Sequence, residues 1–277
     1  MTRDGGRPEP VVYAVASGKG GVGKTNVVLN LAMALAETQT QVLVLDADLG
    51  LANVDVLLGV RPAYTLADVL RERCSLEQAL MEGPNGIRML PADSGQVEYT
   101  GLRAAEMVRI FALVQHLRET AHAILIDTAS GISSNVRFFS SFAHQVLLIA
   151  TPEPTSITDA YATMKVLSRS NGERHFRLII NMVDSDEQGR EIYRTLSTAA
   201  EHFLGIRTDY AGCIRKDRNM ERAVRRQTPI LLLAPDSPAS RDIRLMARKL
   251  LRDPAGPRPA GGGGTRPGVG FEVPIAR

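Results

Sequence analysis

The chain has 277 residues, 44% of them hydrophobic, enough for one α/β domain with a sizeable core. Its 33 basic and 30 acidic residues leave a formal net charge of +3, so the whole molecule is no electrostatic magnet for nucleic acid or lipid, and any such binding has to be local. Two cysteines, Cys74 and Cys213, lie far apart with no partner at metal-ligand spacing, which argues against a disulfide scaffold or zinc site and fits a reducing cytoplasm. The leading MTRDGGRPEP has no apolar h-region, and no window reaches the roughly 18 uninterrupted apolar residues of a membrane span, so neither secretion nor membrane integration is expected.

Residues 1–10 read as a flexible lead and 11–252 as one domain. A first strand over 11–16 (VVYAVA) runs into GKGGVGKT (18–25) and then into a helix over 26–36. Strands follow at 41–46, 87–91, 123–127, 145–150, 177–181 and 211–214, with helical periodicity at 101–119, 157–168, 187–203 and 240–251. Several strands are apolar at nearly every position, as strands covered on both faces are; the expectation is a doubly wound, mostly parallel sheet flanked by helices. From 253 to 277 the composition turns to Pro and Gly, too poor in apolar surface to offset its ordering entropy, and this tail is expected to be disordered.

Four glycines and two lysines in eight positions are more than a turn requires. Residues 18–25 satisfy G-x-x-x-x-G-K-[ST] directly between a strand and a helix, the phosphate-loop arrangement. The glycines let successive backbone N–H groups turn toward anionic oxygens, and the helix N-terminus adds its positive dipole end. Gly18, Lys19, Gly20, Gly21, Val22, Gly23, Lys24, Thr25 and Asn26 are therefore the candidate cradle for ATP, with Lys24 on the β- and γ-phosphates and the Thr25 hydroxyl on Mg²⁺. The basic pattern does not demand Lys19, which is an extra cation near the phosphates or a solvated surface lysine.

Two further segments end in carboxylates at the edge where open α/β sheets bind ligands. QVLVLDAD delivers Asp46 and Asp48, which strand alternation places on one face, suited to Mg²⁺ and an attacking water. AILIDTASGI delivers Asp127, placed to serve the metal through water or to cap a helix. RLIIN ends at Asn181, whose amide offers the donor and acceptor needed to read an adenine edge.

With its early lysine, SGKGGVGKT resembles the deviant Walker A ATPases of the MinD/ParA group. The resemblance implies that Lys19 crosses a dimer interface to the partner's nucleotide, that Asp46 lies near the Mg²⁺ shell, and that Asp48 positions the hydrolytic water. It implies a Walker B role for Asp127 followed by a switch segment through Gly131, and base recognition near Asn181. Asp217 matches the family's aspartate after the last strand, although Arg215 stands where the family commonly has proline. In TPEPTSITDAYA, Glu153 matches a glutamate that contacts the partner's ribose, and Asp159 matches as well; both also fit as helix N-terminal charge.

The stretches DADLGLANVDVLLGVRPAYTLADVL, EPTSITDAYATMKVL, DTASGI and AVRRQTPILLLAPDSPAS resemble the FleN/FlhG branch, the MinD-like ATPases that limit flagellar number, from about 11 to 251. That branch implies a cytoplasmic ATP-dependent homodimer acting on a FleQ-like transcription activator, on the GTPase FlhF, or on both, with polar or peripheral membrane association in some members. Two departures matter: the ten residues before the first strand hold no D-Q-A motif of the kind that stimulates FlhF, and GFEVPIAR is too short and broken for a membrane-inserting helix.

A competing reading is a ParA-like partition ATPase with nonspecific DNA binding, motivated by Arg215, Lys216, Arg218, Arg222, Arg225 and Arg226 within twelve positions; a solvated helix face is the plainer account of that run. An iron protein of the same nucleotide core needs paired cysteines near the switch segment, which Cys74 and Cys213 do not supply, and a metabolic kinase needs an acceptor domain that is not visible.

Overall fold

A computed structural model describes residues 10–50, 53–93, 102–172 and 175–252. All but residue 10 of the proposed flexible lead, the whole 253–277 tail and the junction at 101 lie outside the described residues. In chain order the elements are β1 (Val11–Ser17), α1 (Lys24–Ala36), β2 (Val42–Ala47), α2 (Val54–Leu58), α3 (Leu66–Leu70), α4 (Leu76–Ala79), β3 (Met81–Glu82), β4 (Arg88–Leu90), α5 (Ala104–Thr120) and β5 (Ala123–Ser130). There follow α6 (Ser134–Ser141), β6 (Gln145–Ala150), α7 (Pro154–Asn171), β7 (His175–Val183), α8 (Asp186–Leu204), β8 (Arg207–Arg215), α9 (Arg218–Arg225), α10 (Ile230–Leu233) and α11 (Pro238–Arg252).

Among the described residues the strands form one eight-stranded sheet in the order β3-β4-β2-β5-β1-β6-β7-β8, parallel throughout except for the short β3 pairing with β4. The period-two alternation of side chains splits the core across the sheet. Val15, Val44, Leu125, Leu147 and Ile179 face α1 and α11. On the other face Leu43, Leu45, Ile124 and Ile126 pack toward α3 and α5, while Leu148, Leu178 and Ile180 pack toward α7 and α8. Burial on both faces is why these strands read as continuous apolar runs.

Helix ends follow local chemistry. Pro154 opens α7 at a position with no intrahelical N–H to lose, and Gly172 closes it at φ 68°. Ser185 caps α8 by accepting from the Gln188 N–H, and Gly205 ends it at φ 62°.

β1 pairs with β5 on one side and β6 on the other, so the chain leaves it in opposite directions and opens a crevice at the C-terminal strand ends. The loop after β1 sits in that crevice against α7. A Cβ on Gly18 would lie 2.3 Å from the backbone carbon and oxygen of Asp159, so no side chain fits there. Gly18→Ala is accordingly expected to cost about 1–3 kcal/mol through forced separation of loop and helix, read as a lower midpoint in urea unfolding.

Cys74 and Cys213 are free thiols, and no cluster of three or more His, Cys, Asp or Glu side chains placed to hold a metal ion is present among the described residues. Burial, and then the Asp186 carboxylate that accepts its S–H at 3.3 Å, push the Cys213 thiol up to about 11. At pH 8 the native protein should therefore resist iodoacetamide at Cys213, which should react only after unfolding, as peptide mass spectrometry would show.

Candidate functional site

The loop from Gly18 to Gly23 bends through two left-handed glycines, Gly21 at φ 80° and Gly23 at φ 81°, conformations that L side chains avoid. A Cβ on Gly21 would meet nothing within 4 Å, so the mouth of the loop is open. No protein acceptor is found for the amides of Gly20 to Thr25 among the described residues. Gly23 caps α1, so a row of unsatisfied N–H groups and the positive end of a 13-residue helix converge on one spot.

Beneath the loop, Lys24 and Asp127 form a buried ion pair at 2.6 Å, their side chains 8% and 1% exposed. Asp127 lies directly across the β2–β5 ladder from Asp46. Burial and then the neighbouring Asp127 charge push the Asp46 carboxyl up to about 8, against the opposing pull of the Asp48, Val54 and Asn53 amides. Oδ1 of Asp46 accepts the Asp48 N–H at 3.0 Å, and Oδ2 accepts the Asn53 and Val54 N–H groups at 3.2 and 3.4 Å. Asp46 thus ties the start of α2 to the C-terminal edge of the sheet.

The structure corrects the route by which Asp48 reaches this edge. β2 ends at Ala47, so strand alternation does not carry Asp48; the turn held by Asp46 does. Gly131, at φ 86°, donates its N–H to the Ser17 carbonyl at 2.8 Å, joining the segment after β5 to the root of the loop.

Lys19 pairs with the start of α7. Its Nζ lies 2.5 Å from Oε2 of Glu153 and 3.3 Å from Oγ1 of Thr155, with 40% of the lysine side chain exposed. Thr155 carries no motif signal in the sequence beyond its place in EPTSITDAY. Asn181 joins the loop from the other side, donating from Nδ2 to the Val22 carbonyl at 2.8 Å. Asn26 lies in the first turn of α1, its carbonyl accepting from Asn30 Nδ2 at 2.8 Å.

Asp217 caps α9 and links it to α11, accepting the Asn219 N–H at 2.9 Å and the Ala239 N–H at 3.3 Å. Burial raises its pKa, but those amides outweigh it and hold the carboxyl below its ordinary range. Arg215, standing in the place of proline, is tied by two guanidinium bonds to Asp242 at 2.9 and 2.7 Å. Asp159 approaches the loop through its backbone at Gly18.

A nucleotide triphosphate with Mg²⁺ fits this donor set. Unsatisfied amides and Lys24 match phosphate oxygens, and the Thr25 hydroxyl with one or two carboxylates matches the oxygen ligands that Mg²⁺ takes.

The family model described as CobQ/CobB/MinD/ParA nucleotide binding domain matches residues 13–230. The chain belongs to this family. It is 42% identical over 257 residues, 92% of each chain, to the antiactivator FleN of Pseudomonas aeruginosa. It is also 33% identical over 239 residues to the flagellum site-determining protein YlxH of Helicobacter pylori, covering 86% of this chain and 81% of that one. These relatives place it in the FleN/FlhG branch of the MinD-like P-loop ATPases. Among solved structures, a chain of the MinC:MinD cell division protein complex of Aquifex aeolicus superimposes with a TM-score of 0.71 at 29% identity, covering 88% of this chain and 96% of that one.

Proposed function

We propose that this family member is an ATP-operated switch: MgATP pairs two copies across their phosphate loops, the pair regulates flagellar number, and slow hydrolysis resets it. The observation that carries the reading is Lys19, a loop lysine 40% exposed and paired with Glu153 and Thr155 at the start of α7. A cation so exposed is open to a second molecule.

Mg²⁺, when bound, supplies charge neutralisation at the phosphates. The chain's own residues do the rest. The amides of Gly20 to Thr25 bind and orient the anion, and Lys24 exchanges Asp127 for phosphate oxygens. Thr25, Asp46 and Asp127 would hold the metal, Asp127 through water. Asp48, half-buried in the turn beside Asp46, orients the attacking water. Asn181 and Asp217 flank the expected base position, and Glu153, freed from Lys19, is available to the ribose of the partner's nucleotide.

Similarity to an antiactivator supports a FleQ-like transcription activator as the partner, with FlhF as the second candidate. Asp48→Ala protein loaded with MgATP and used as bait in lysate of its own source should recover one of the two; recovery of a DNA-bound centromere adaptor instead would move the protein to the partition branch.

The DNA-binding reading retains the exposed Arg218, Arg222, Arg225 and Arg226 on and after α9. It loses two members of its cluster, because Arg215 is engaged by Asp242 and Lys216 pairs with Asp184 at 3.0 Å. We expect no ATP-dependent retention on nonspecific duplex DNA at about 150 mM salt; retention that falls steeply with salt would restore that reading. No helix among the described residues is long and apolar enough to cross a membrane.

A further inference from the structure

Given the nucleotide site proposed above, we infer that Gln227 is a positioning residue for its hydrolytic turn. It clamps the far end of α2, whose near end is bonded to Asp46, and so keeps Asp46 and Asp48 in place.

α9 ends on a left-handed residue. Gln227, at φ 50°, donates its N–H to the Val224 carbonyl at 3.0 Å, and the next N–H, that of Thr228, goes to the Ala223 carbonyl at 3.0 Å. This pair of bonds at a helix end calls for glycine, which adopts a positive φ readily, and glutamine fits it poorly. The side chain accounts for the glutamine: its Nε2 donates to the Val56 carbonyl at 2.7 Å, a bond across 171 residues. Val56 belongs to α2, which ends in the same manner at Gly59, φ 65°, with the Gly59 and Val60 N–H groups on the Val56 and Asp55 carbonyls at 3.2 and 3.1 Å. The two helix ends meet closely: a Cβ on Gly59 would lie 3.2 Å from both Cβ and Oε1 of Gln227.

A helix of five residues does not hold its own position. α2 buries Val54 in the core and is fastened at both ends, by Asp46 Oδ2 accepting the Asn53 and Val54 N–H groups and by Gln227 bonding Val56. Asp46 also accepts the Asp48 N–H, so a shift of α2 passes to the turn that carries the water-orienting carboxylate. Misplacing such a group by about 1 Å can cost about 100-fold in rate. The loop amides and Lys24, which seat the phosphates, belong to the β1–α1 junction and not to α2. Gln227 acting through α2 therefore governs turnover and leaves affinity in place.

The test compares wild type with Gln227→Gly and Gln227→Glu. Glycine relieves the left-handed strain and removes the clamp, while glutamate keeps the shape and loses the donor. Thermal melting and hydrogen exchange of the Asn53 to Gly59 amides are read on ligand-free protein, then calorimetric MgATP affinity and turnover at saturating MgATP. Gln227→Gly is expected to melt within about 3 °C of wild type, strain relief offsetting the lost bond. Both variants should exchange the α2 amides about fivefold faster and turn over about tenfold more slowly, with MgATP affinity within about twofold. The proposal is overturned if α2 exchange or turnover matches wild type in either variant, or if affinity falls as far as turnover. A larger drop in the melting of Gln227→Gly also overturns it, by assigning the residue to the stability of the fold. Wild-type protein that neither binds nor hydrolyses MgATP would instead remove the underlying nucleotide reading, whatever the exchange of α2 shows.

Discussion

Lys24→Ala is expected to remove measurable nucleotide binding and to destabilise the fold in one step. The binding loss follows from deleting the cation at the phosphates, a charge-assisted contact whose absence should cost about 100-fold in MgATP affinity. The stability loss has a separate origin. Lys24 and Asp127 are buried together at 2.6 Å, and Asp127 faces Asp46 across the β2–β5 ladder. Removing the lysine leaves two adjacent buried carboxylates with no cation between them, a loss of about 3–5 kcal/mol.

The sign with pH follows from proton counting. In both proteins burial, and then the Asp127 charge, raise the Asp46 carboxyl in the folded state, so folding takes up a proton there and stability rises as pH falls; the variant, with no Lys24 cation beside the pair, gains more from that proton. Urea unfolding of wild type and variant should show the widest gap near pH 8 and a narrower one near pH 5. A variant as stable as wild type at pH 8 would show that the ion pair is not formed in solution.

Lys19→Ala and Asp48→Ala are expected to separate the two halves of the switch. Lys19 forms an exposed pair with Glu153, worth little to the fold, so the alanine variant should melt close to wild type and still bind MgATP. It should nevertheless elute as a monomer with MgATP, because the bridging cation is gone. Asp48→Ala should bind MgATP, elute as a dimer and hydrolyse about 10²–10⁴-fold more slowly. Light scattering coupled to gel filtration reads both. A monomeric Asp48→Ala protein, or a Lys19→Ala protein that dimerises like wild type, would contradict the shared-nucleotide scheme.

The fold was legible in the sequence wherever burial on both faces wrote long apolar runs, as at 123–127 and 145–150. It was illegible where elements are too short or too polar to show a period. α2 and α3 have five residues each, and α9 puts four exposed arginines on or beside a single two-turn helix. Strand alternation was carried one residue too far at Asp48, because the stop after Ala47 is made by Asp46 accepting an amide from the following turn.

In the site, the contiguous loop announces itself by spacing alone, since successive backbone N–H groups must converge. Pairings across long separations do not. The Lys24–Asp127 contact spans 103 residues and Lys19–Glu153 spans 134, and neither is written in local composition. Asn181 shows the remaining difficulty: a carboxamide at a strand end is legible as a donor and acceptor for an adenine edge, whereas its bond to the Val22 carbonyl, across 159 residues, is not.

The most direct measurement of the account is isothermal titration of MgATP into the folded protein, with Lys24→Ala as the paired control. Saturable binding of one nucleotide per chain, abolished in the control, is the predicted result. No detectable binding to wild type, or equal binding to both proteins, would contradict the seating of a triphosphate on the amides between Gly20 and Thr25.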